Sequence, residues 1–333
     1  MSRPSFIILG PTAVGKTETS LVLAEKLGAE IVSADAFQVY RGMDIATAKL
    51  SSEQRKRARH HLIDILEVGQ SYSAARFRLL ALQALRDIDR RGKIALVVGG
   101  AGLYLKVLTD GIFPAPPADP DLRRSLSRKE EEEGEGCLHR LLSGSDPAAA
   151  ARIHPRDHKR LVRALEVLAL TGRPISDWQK QWPRSRPTLR LAPPAQERFI
   201  KVGLRRQRDD LSRRIERRVQ EMIGAGLVEE TKRLLSAGAD QNRTAWQALG
   251  YREIESFLKG ECVLSEAARR LACNTRRYAR RQMIWFRREE GIRWFDLRPE
   301  DGSETAAPAI LKSIGDLVAP VTAPTGEIGP PAG

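Results

Sequence analysis

The sequence predicts an α/β protein in which a parallel sheet core is interrupted by a helical insertion. Three observations support this fold class: short apolar runs, helical patterns between them, and a Pro-rich change of composition after Gly111. Strands buried on both faces by helices have such continuous apolar runs. We expect the core at residues 1–112 and 198–300, the insertion at residues 113–197, and a tail at residues 301–333 with a disordered end.

Four strands of the core are predicted in chain order from these apolar runs. They are Phe6 to Leu9, the EIVSAD stretch after Ala29, Lys93 to Gly100, and Arg198 to Leu204. Because helical patterns separate the first three runs, a sheet with parallel strands is expected.

Three helices are predicted from apolar spacing and from the residues that end them. The first follows the first strand and stops at Gly28, and the second is an amphipathic stretch that stops at Gly92. A third, DHKRLVRALEVLALTGRP, lies in the insertion and is closed by Gly172 and Pro174. The chain from the fourth strand to about residue 290 is helical and strongly basic.

The charge balance indicates a polyanionic partner. There are 56 Lys and Arg against 42 Asp and Glu, a formal charge of +14, and the isoelectric point is about 10.1. Clustered cations gain affinity for phosphates by releasing counterions. A general basic bias of the source is the alternative.

The remaining bulk features indicate a cytoplasmic protein. The 3 cysteines are widely spaced without a CxxC pair, so neither a zinc site nor a disulfide framework is predicted. The N-terminal apolar run lacks a signal-peptide pattern, and no apolar stretch of about eighteen residues occurs. We therefore expect no membrane partner.

A phosphate-binding loop follows the first predicted strand. The motif GxxxxGK[ST] comprises Gly10, Pro11, Thr12, Ala13, Val14, Gly15, Lys16 and Thr17. At a helix N-terminus its backbone N–H groups cradle phosphate oxygens, Lys16 adds a positive charge, and the Thr17 hydroxyl is placed to bind Mg²⁺. The core is therefore predicted to be P-loop NTPase-like.

The acid that helps hold the metal in many ATPases and GTPases is missing from the expected strand end. The run IALVV ends in Gly99 and Gly100, whereas Asp35 stands at the end of the second strand. Because ligands bind at the carboxyl ends of parallel strands, Asp35 is predicted to face the site as a base for an acceptor. The alternative is that Asp35 only caps the helix expected to follow it.

Six blocks of the chain resemble the tRNA dimethylallyltransferase (isopentenyltransferase) family. They are GPTAVGKT, SADAFQVYRGMDIATAK, GGAGLYLKVL, RLVRALEVLALTGRP, TAWQALGYRE and TRRYARRQMIWFR, in order across about residues 5–296. The phosphate loop is widespread, but the second and fifth blocks are specific to this family.

The resemblance implies transfer of a dimethylallyl group from dimethylallyl diphosphate to N6 of the adenosine 3′ to the tRNA anticodon. The loop and Mg²⁺ would then stabilise a diphosphate leaving group, which requires no acid for positioning water. By the same resemblance, Asp35 is the general base, acting with Lys16 and Thr17, and Arg208 contacts the diphosphate.

The resemblance also implies which residues contact tRNA. Ala101 is a departure, since the family usually has a threonine there; we expect activity to be retained. A solvated surface charge is the alternative for each basic position. The implied contacts are Asp35, Ala36, Phe37, Gln38, Ala101, Arg123, Lys159, Arg160, Leu161, Val162 and Arg163.

An arginine-rich block near the C-terminus is a further candidate tRNA surface. Arg276, Arg277, Arg280 and Arg281 form two i, i+4 pairs on a predicted helix, with Trp285 and Phe286 one turn later. Arginines beside aromatic side chains suit an RNA backbone and unstacked bases. Alternatively, the arginines pair with Asp209, Asp210 or Glu216 and the aromatic residues pack in the core.

Three other functions stay open at this point. They are a small-molecule kinase using ATP, a prenyltransferase acting on free AMP, and an RNA-binding phosphate-loop protein without catalysis. The positive charge and the insertion favour a large RNA acceptor, namely the tRNA anticodon stem-loop, and the protein is expected to be a monomer. The 5 histidines show no metal-binding pattern.

Overall fold

A computed structural model describes residues 4–112, 116–180, 199–242 and 244–318. Contacts divide the chain into two units. The first, here called the core unit, comprises Met1–Thr109 and Gln196–Gly333, and the second, the helical unit, comprises Asp110–Ala195. These boundaries lie within a few residues of those expected from composition.

The core unit contains a six-stranded parallel sheet with the order β3-β2-β4-β1-β5-β6. The strands are β1 Ser5–Leu9, β2 Glu30–Ser33, β3 His60–His61, β4 Ala95–Gly99, β5 Phe199–Arg206 and β6 Ile292–Leu297. The central strand β1 is buried throughout, as the continuous run SFIIL predicts.

Fourteen α-helices are described in chain order. They are α1 Lys16–Leu27, α2 Ser52–Arg57, α3 Ala74–Arg90, α4 Gly102–Asp110, α5 Pro120–Glu133, α6 Cys137–Ser145, α7 Pro147–Ala150, α8 His158–Thr171, α9 Ile175–Lys180, α10 Arg208–Gly224, α11 Leu227–Ser236, α12 Tyr251–Leu258, α13 Leu264–Phe286 and α14 Ser303–Val318. Of the described helices, none is long and apolar enough to cross a membrane.

The predicted strands are confirmed as β1, β2, β4 and β5, but two edge strands escaped prediction. The strand β3 has only 2 residues. In β6, charged residues Arg293 and Asp296 interrupt the apolar pattern, and most positions remain partly exposed. Edge strands need little burial, so their sequences carry a weak apolar signal.

The tail expected at residues 301–333 requires a correction, because α14 belongs to the core. Ala306, Ile310 and Ile314 occur every four residues and are buried in the cluster that also contains Phe6 and Leu21. This spacing places them on one helical face, which packs against α1. Disorder was predicted for about the last dozen residues, which lie outside the described residues.

The helical unit has an apolar core of its own. Leu138 of α6, Ala150 of α7, Leu165 of α8 and Ile175 of α9 belong to one buried cluster. The helix α8 ends at Gly172 with φ 66°, as its sequence predicts. This unit therefore carries its own packed framework for charged side chains.

The phosphate loop lies at the carboxyl end of β1 and depends on close backbone approach. Gly10 has φ 149°, and a Cβ there would lie only 2.4 Å from the Leu204 carbonyl oxygen. Gly15, with φ 110°, starts α1, so the loop delivers the chain directly into the helix N-terminus.

Candidate active site

A cleft of about 1140 Å³ opens at the carboxyl ends of the central strands. Its lining combines the phosphate loop with residues that follow β2 and β4 and with side chains of α10 and α13. They include Thr12, Ala13, Gly15, Lys16, Thr17, Asp35, Gly99, Gly100, Arg214, Arg217, Arg218, Tyr278 and Gln282. The cleft therefore brings together the predicted phosphate loop and the predicted base.

Lys16 folds back onto its own loop. Its Nζ donates to the carbonyl oxygens of Gly10 at 3.0 Å and Pro11 at 2.8 Å. Burial, aided by the positive charge of the neighbouring Arg218, lowers the pKa of Lys16 to about 7, and the Asp35 charge opposes this change. An anionic ligand bound in the loop would favour the protonated, positively charged form of Lys16.

Two arginines hold the loop from its carbonyl side. Arg206 Nε donates to the Val14 carbonyl at 3.0 Å, and Arg214 Nε donates to the Ala13 carbonyl at 2.9 Å. The Arg206 side chain is 2% exposed and also pairs with Asp210 at 3.0 Å. These contacts fix the loop conformation, in which Ala13 has a positive φ of 63°.

Arg218, rather than the expected Arg208, enters the cleft. Arg208 is the first residue of α10, is exposed, and does not line the cleft. Arg218 Nη1 donates to Thr12 Oγ1 at 3.3 Å, and burial lowers the pKa of Arg218, with Asp35 opposing. Arg214 and Arg218 are four residues apart and thus share a helical face.

Asp35 both caps a turn and lines the cleft. Its Oδ1 accepts from the backbone N–H groups of Phe37 at 2.8 Å and Gln38 at 3.2 Å. Burial, with Asp35 as a further contributor, raises the pKa of Tyr278, another cleft residue. The segment that Asp35 caps is a turn and not the predicted helix, since the next helix is α2. Because only Oδ1 caps this turn, a capping role is compatible with a role of the carboxylate in the cleft.

The rest of the segment after β2 is braced by Gln38. Its Oε1 accepts from Ser33 Oγ at 3.0 Å and its Nε2 donates to the Thr47 carbonyl at 3.2 Å. Ala36 and Phe37 are partly exposed.

Gln282 is a cleft residue that sequence reasoning missed. Its Oε1 accepts from the Thr12 N–H at 2.8 Å, and its Nε2 donates to the Gly100 carbonyl at 2.9 Å. It is 6% exposed and so ties the phosphate loop to the loop after β4. Its one amide side chain among the arginines of TRRYARRQ was the only available signal. Ala101, two positions after β4, does not line the cleft.

In the helical unit, two expected tRNA contacts bind a buried acid. Arg123 donates to both oxygens of Glu166, at 2.7 and 2.8 Å, and Arg163 donates to it as well. The Glu166 side chain is 0% exposed, and despite burial these hydrogen bonds lower its pKa to about 2. Arg123 and Arg163 are thus held in fixed positions at the surface of this unit.

The other expected contacts of α8 differ in exposure. Lys159 and Arg160 are exposed, and Arg160 pairs with Asp157 at 2.9 Å. Leu161 and Val162 are 1% and 6% exposed and belong to the apolar core, so their side chains are not available to RNA. The helical period explains this, because contiguous residues of a helix point in different directions.

The four predicted tRNA-binding arginines of α13 also differ in their exposure and their partners. Arg276 pairs with Glu216 at 2.9 Å, as the alternative interpretation allowed. Arg277, Arg280 and Arg281 are exposed, and the Arg281 guanidinium lies 5.8 Å from the centre of the Tyr278 ring. Phe286, at 1% exposure, packs in the core, whereas Trp285 is only partly buried and covers Gly102.

Comparison with known proteins gives consistent results. The family model described as IPP transferase matches residues 38–289. A tRNA dimethylallyltransferase of Geobacter metallireducens is 49% identical over 290 residues, covering 87% of this chain and 91% of its own. One from Thermotoga maritima is 44% identical over 298 residues, covering 90% and 94%.

Two solved structures are also similar. The full-length tRNA isopentenylpyrophosphate transferase of Bacillus halodurans has a TM-score of 0.68 and 38% identity, covering 95% of this chain and 97% of its own. A eukaryotic dimethylallyltransferase, described as acting on tRNA, has a TM-score of 0.74 and 26% identity, covering 94% and 78%. The phosphate loop and Asp35 that meet in the cleft, together with these matches, place the chain in the IPP transferase family.

Proposed function

We propose that this protein transfers a dimethylallyl group from dimethylallyl diphosphate to N6 of the adenosine 3′ to the anticodon, in tRNAs that read codons beginning with U. One observation carries the proposal: a carboxylate, Asp35, shares a single cleft with an anion cradle that contains Lys16 and Arg218. The names of the similar proteins support the choice of substrates.

The cradle acts on the diphosphate leaving group. Backbone N–H groups at the start of α1 bind its oxygens, and Lys16 and Arg218 balance its charge. As the allylic C–O bond breaks, both bonding electrons leave with the diphosphate, and these groups stabilise the charge that accumulates there. No phosphoanhydride is cleaved, so no residue is needed to position water.

Asp35 acts on the attacking amine. The N6 nitrogen forms the new C–N bond with the allylic carbon and passes one proton to the carboxylate. The Oδ1 contacts with Phe37 and Gln38 hold the carboxylate in one orientation, which favours this transfer.

Mg²⁺ fits the donor groups of the cleft when diphosphate is present. Thr17 offers a hydroxyl oxygen in the lining, and among the described residues no cluster of three or more His, Cys, Asp or Glu side chains could hold a metal by itself. The ion would be held by Thr17 and by oxygens of the diphosphate, and it would supply further neutralisation of the leaving group.

The acceptor is a folded tRNA, of which one base must leave its stack to react. Exposed Arg277, Arg280 and Arg281 on α13 suit its phosphates, as do Lys159 and Arg123 of the helical unit. This activity belongs to the cytoplasm, where tRNA is modified, and we propose that a monomer carries it out.

Labelled dimethylallyl diphosphate tests the proposal directly. In two reactions the protein is incubated with the labelled donor and with either unmodified tRNA or AMP. In a third reaction it is incubated with labelled ATP and a set of metabolites. We expect label on tRNA, at an adenosine beside the anticodon. Label on AMP alone, or phosphate transfer to a metabolite, would refute the proposal in favour of a nucleotide prenyltransferase or a kinase.

A further inference from the structure

The block TAWQALGYRE has no part in the chemistry described so far, yet it packs behind one wall of the cleft. That wall, here called the wall turn, comprises residues 44–49, of which Asp44, Ile45, Thr47, Ala48 and Lys49 line the cleft. A Cβ at Gly250 would lie 3.2 Å from the Ala46 Cβ, so the block approaches the wall turn closely.

The wall turn is a tight and strained stretch of backbone. The Lys49 N–H donates to the Asp44 carbonyl at 2.9 Å, and the Ala48 N–H donates to the Ile45 carbonyl at 3.0 Å. Ala48 has φ 46°, a left-handed conformation that is unfavourable for a residue other than glycine. Such a conformation persists only when its surroundings enforce it.

Glu230 of α11 holds the first half of the wall turn from behind. Its carboxylate accepts from the backbone N–H groups of Asp44 at 3.0 Å, Ile45 at 2.9 and 3.1 Å, and Ala46 at 3.3 Å. Glu230 is 3% exposed, and none of the ion pairs among the described residues includes it. A buried carboxylate is thus balanced by backbone dipoles and not by a cation.

Tyr251 fixes the carboxylate in turn. Its hydroxyl donates to Glu230 Oε1 at 2.9 Å, and its ring stacks on Trp246 with centroids 5.2 Å apart and an interplanar angle of 16°. Tyr251 is 0% exposed, and burial, followed by the Glu230 charge, raises its pKa. The block therefore orients Glu230, and Glu230 orients the wall turn.

The other side of the wall turn is fastened by Lys49. This ammonium group lies 2.6 Å from both Asp44 and Asp64, and it donates to the Tyr40 carbonyl at 2.6 Å. Its side chain is only 1% exposed. Because Glu230 binds the backbone N–H groups of the wall turn and Lys49 binds its acidic and carbonyl neighbours, the wall turn has little freedom to change its conformation.

The wall turn and its neighbours supply apolar surface to a cleft that several charged side chains also line. Ile45, Ala48 and Leu50 contribute from this segment, Met222 contributes from α10, and Ala225 contributes from the position just after α10. A five-carbon allylic group attached to a diphosphate needs apolar surface within reach of a cation-lined cradle, and this cleft has both.

We propose that Glu230 is a positioning residue that, through the wall turn, sets how the cleft fits the hydrocarbon part of the prenyl donor. The proposal rests on the proposed function. Loss of the carboxylate frees the backbone N–H groups of residues 44–46 and lets the strained turn relax, which changes the space available to the donor but not the charge of the diphosphate cradle.

The test compares Glu230→Gln with Glu229→Gln, its exposed neighbour on α11. A glutamine retains the size of the side chain but has one acceptor oxygen and places N–H donors against backbone N–H groups. Transfer to tRNA is measured with dimethylallyl diphosphate and with the ten-carbon geranyl diphosphate, and tRNA affinity is measured separately.

For Glu230→Gln we expect the KM for dimethylallyl diphosphate to rise roughly tenfold or more, as misplacement of a binding wall predicts. The preference for the five-carbon over the ten-carbon donor should fall, while tRNA affinity stays at the wild-type value. Tyr251→Phe keeps the ring stacking and should change the donor KM in the same direction by about threefold. Glu229→Gln should match wild type.

Two results would overturn the inference. One is a folded Glu230→Gln protein whose donor KM and donor preference equal those of Glu229→Gln. The other is reduced activity with an unchanged donor preference, which would mean that Glu230 serves stability alone. If Glu230→Gln does not fold, Tyr251→Phe decides by the same criteria. An inactive wild-type protein would instead refute the proposed function.

Discussion

The cations of the cleft and those of the helical unit lie in opposite electrostatic surroundings. In the cleft, burial lowers the pKa of Lys16 and of Arg218, and other cations stand close by. In the helical unit, hydrogen bonds to Glu166 raise the pKa of Arg123. The cleft cations are incompletely neutralised and need an anionic ligand, whereas Arg123 and Arg163 already share a carboxylate, that of Glu166.

This difference distinguishes two kinds of arginine that cannot be told apart in the sequence: those with few acidic partners and those paired with a buried acid. An arginine without a full complement of acids can stabilise charge that develops during a reaction. An arginine fixed by a buried carboxylate gives a rigid contact that costs little entropy to use. Variants of these residues test the contrast, from the largest expected effect to the smallest.

Asp35→Asn should lower the rate of transfer about a thousandfold, because the amide cannot accept the N6 proton. The asparagine oxygen can still cap Phe37 and Gln38, so the turn is retained. Single-turnover transfer to tRNA measures the rate, and binding of the donor should be unchanged. Asp209→Asn, at an exposed position, is the control. Near-normal activity of Asp35→Asn would mean that Asp35 is only a cap.

Arg218→Ala should lower kcat/KM about a hundredfold, since it removes one donor that faces the leaving group. Arg208→Ala removes the same charge from an exposed position outside the cleft and should change kcat/KM by no more than about twofold. Steady-state kinetics of both variants decides between the two arginines. The reverse order of effects would restore the family-based expectation for Arg208.

Diphosphate binding should be coupled to the protonation of Lys16. Because its folded pKa of about 7 lies below the usual 10.5, the ligand-free lysine is mostly neutral at pH 8, and a bound anion should draw a proton onto it. Calorimetry of inorganic diphosphate in buffers of different ionisation heat measures this uptake. Proton uptake on binding should decrease below pH 7, where Lys16 is already protonated in the free protein. The Lys16→Arg variant should take up fewer protons than wild type, because an arginine is always protonated.

The same shift has a consequence for stability. Between about pH 7 and 10.5 the unfolded chain holds a proton on Lys16 that the folded protein has released. The unfolded state thus binds more protons, so the contribution of this residue to the free energy of unfolding rises with pH across that window. Lys16→Met should remove that part of the pH dependence, which denaturant titrations at several pH values would detect.

Glu166→Gln should weaken the helical unit and only secondarily affect transfer. It leaves two arginines around a buried neutral amide, which costs about 3 kcal/mol of unfolding free energy in comparable cases. We expect a several-fold higher KM for tRNA with kcat unchanged at saturation. Glu132→Gln, on exposed α5, should behave as wild type in denaturant titration and kinetics.

Single arginines of α13 should have the smallest effects. Arg280→Ala should reduce the slope of log affinity against log salt by about one, as expected for one lost phosphate contact. Arg276→Ala should reduce it less, because Arg276 already pairs with Glu216 at 2.9 Å. Filter binding of tRNA from low to moderate salt provides the slopes. Nearly constant affinity over that range would contradict an electrostatic tRNA surface.

The sequence determined the features that depend on near neighbours. The phosphate loop, the strands β1, β2, β4 and β5 and the helices α1, α3 and α8 follow from contiguous patterns whose physical causes act within a few residues. The position of Asp35 at a strand end was predictable for the same reason, as was the family from its ordered blocks.

Only the tertiary structure decided which of many similar side chains meet. Among the arginines of α10, the direction of the helix over the sheet brings Arg218, and not Arg208, into the cleft. The contact of Gln282 with Thr12 joins residues 270 positions apart, and the contact of Glu230 with Asp44 in the wall turn joins residues 186 positions apart. Such pairings depend on strand order and helix packing, which no local pattern encodes.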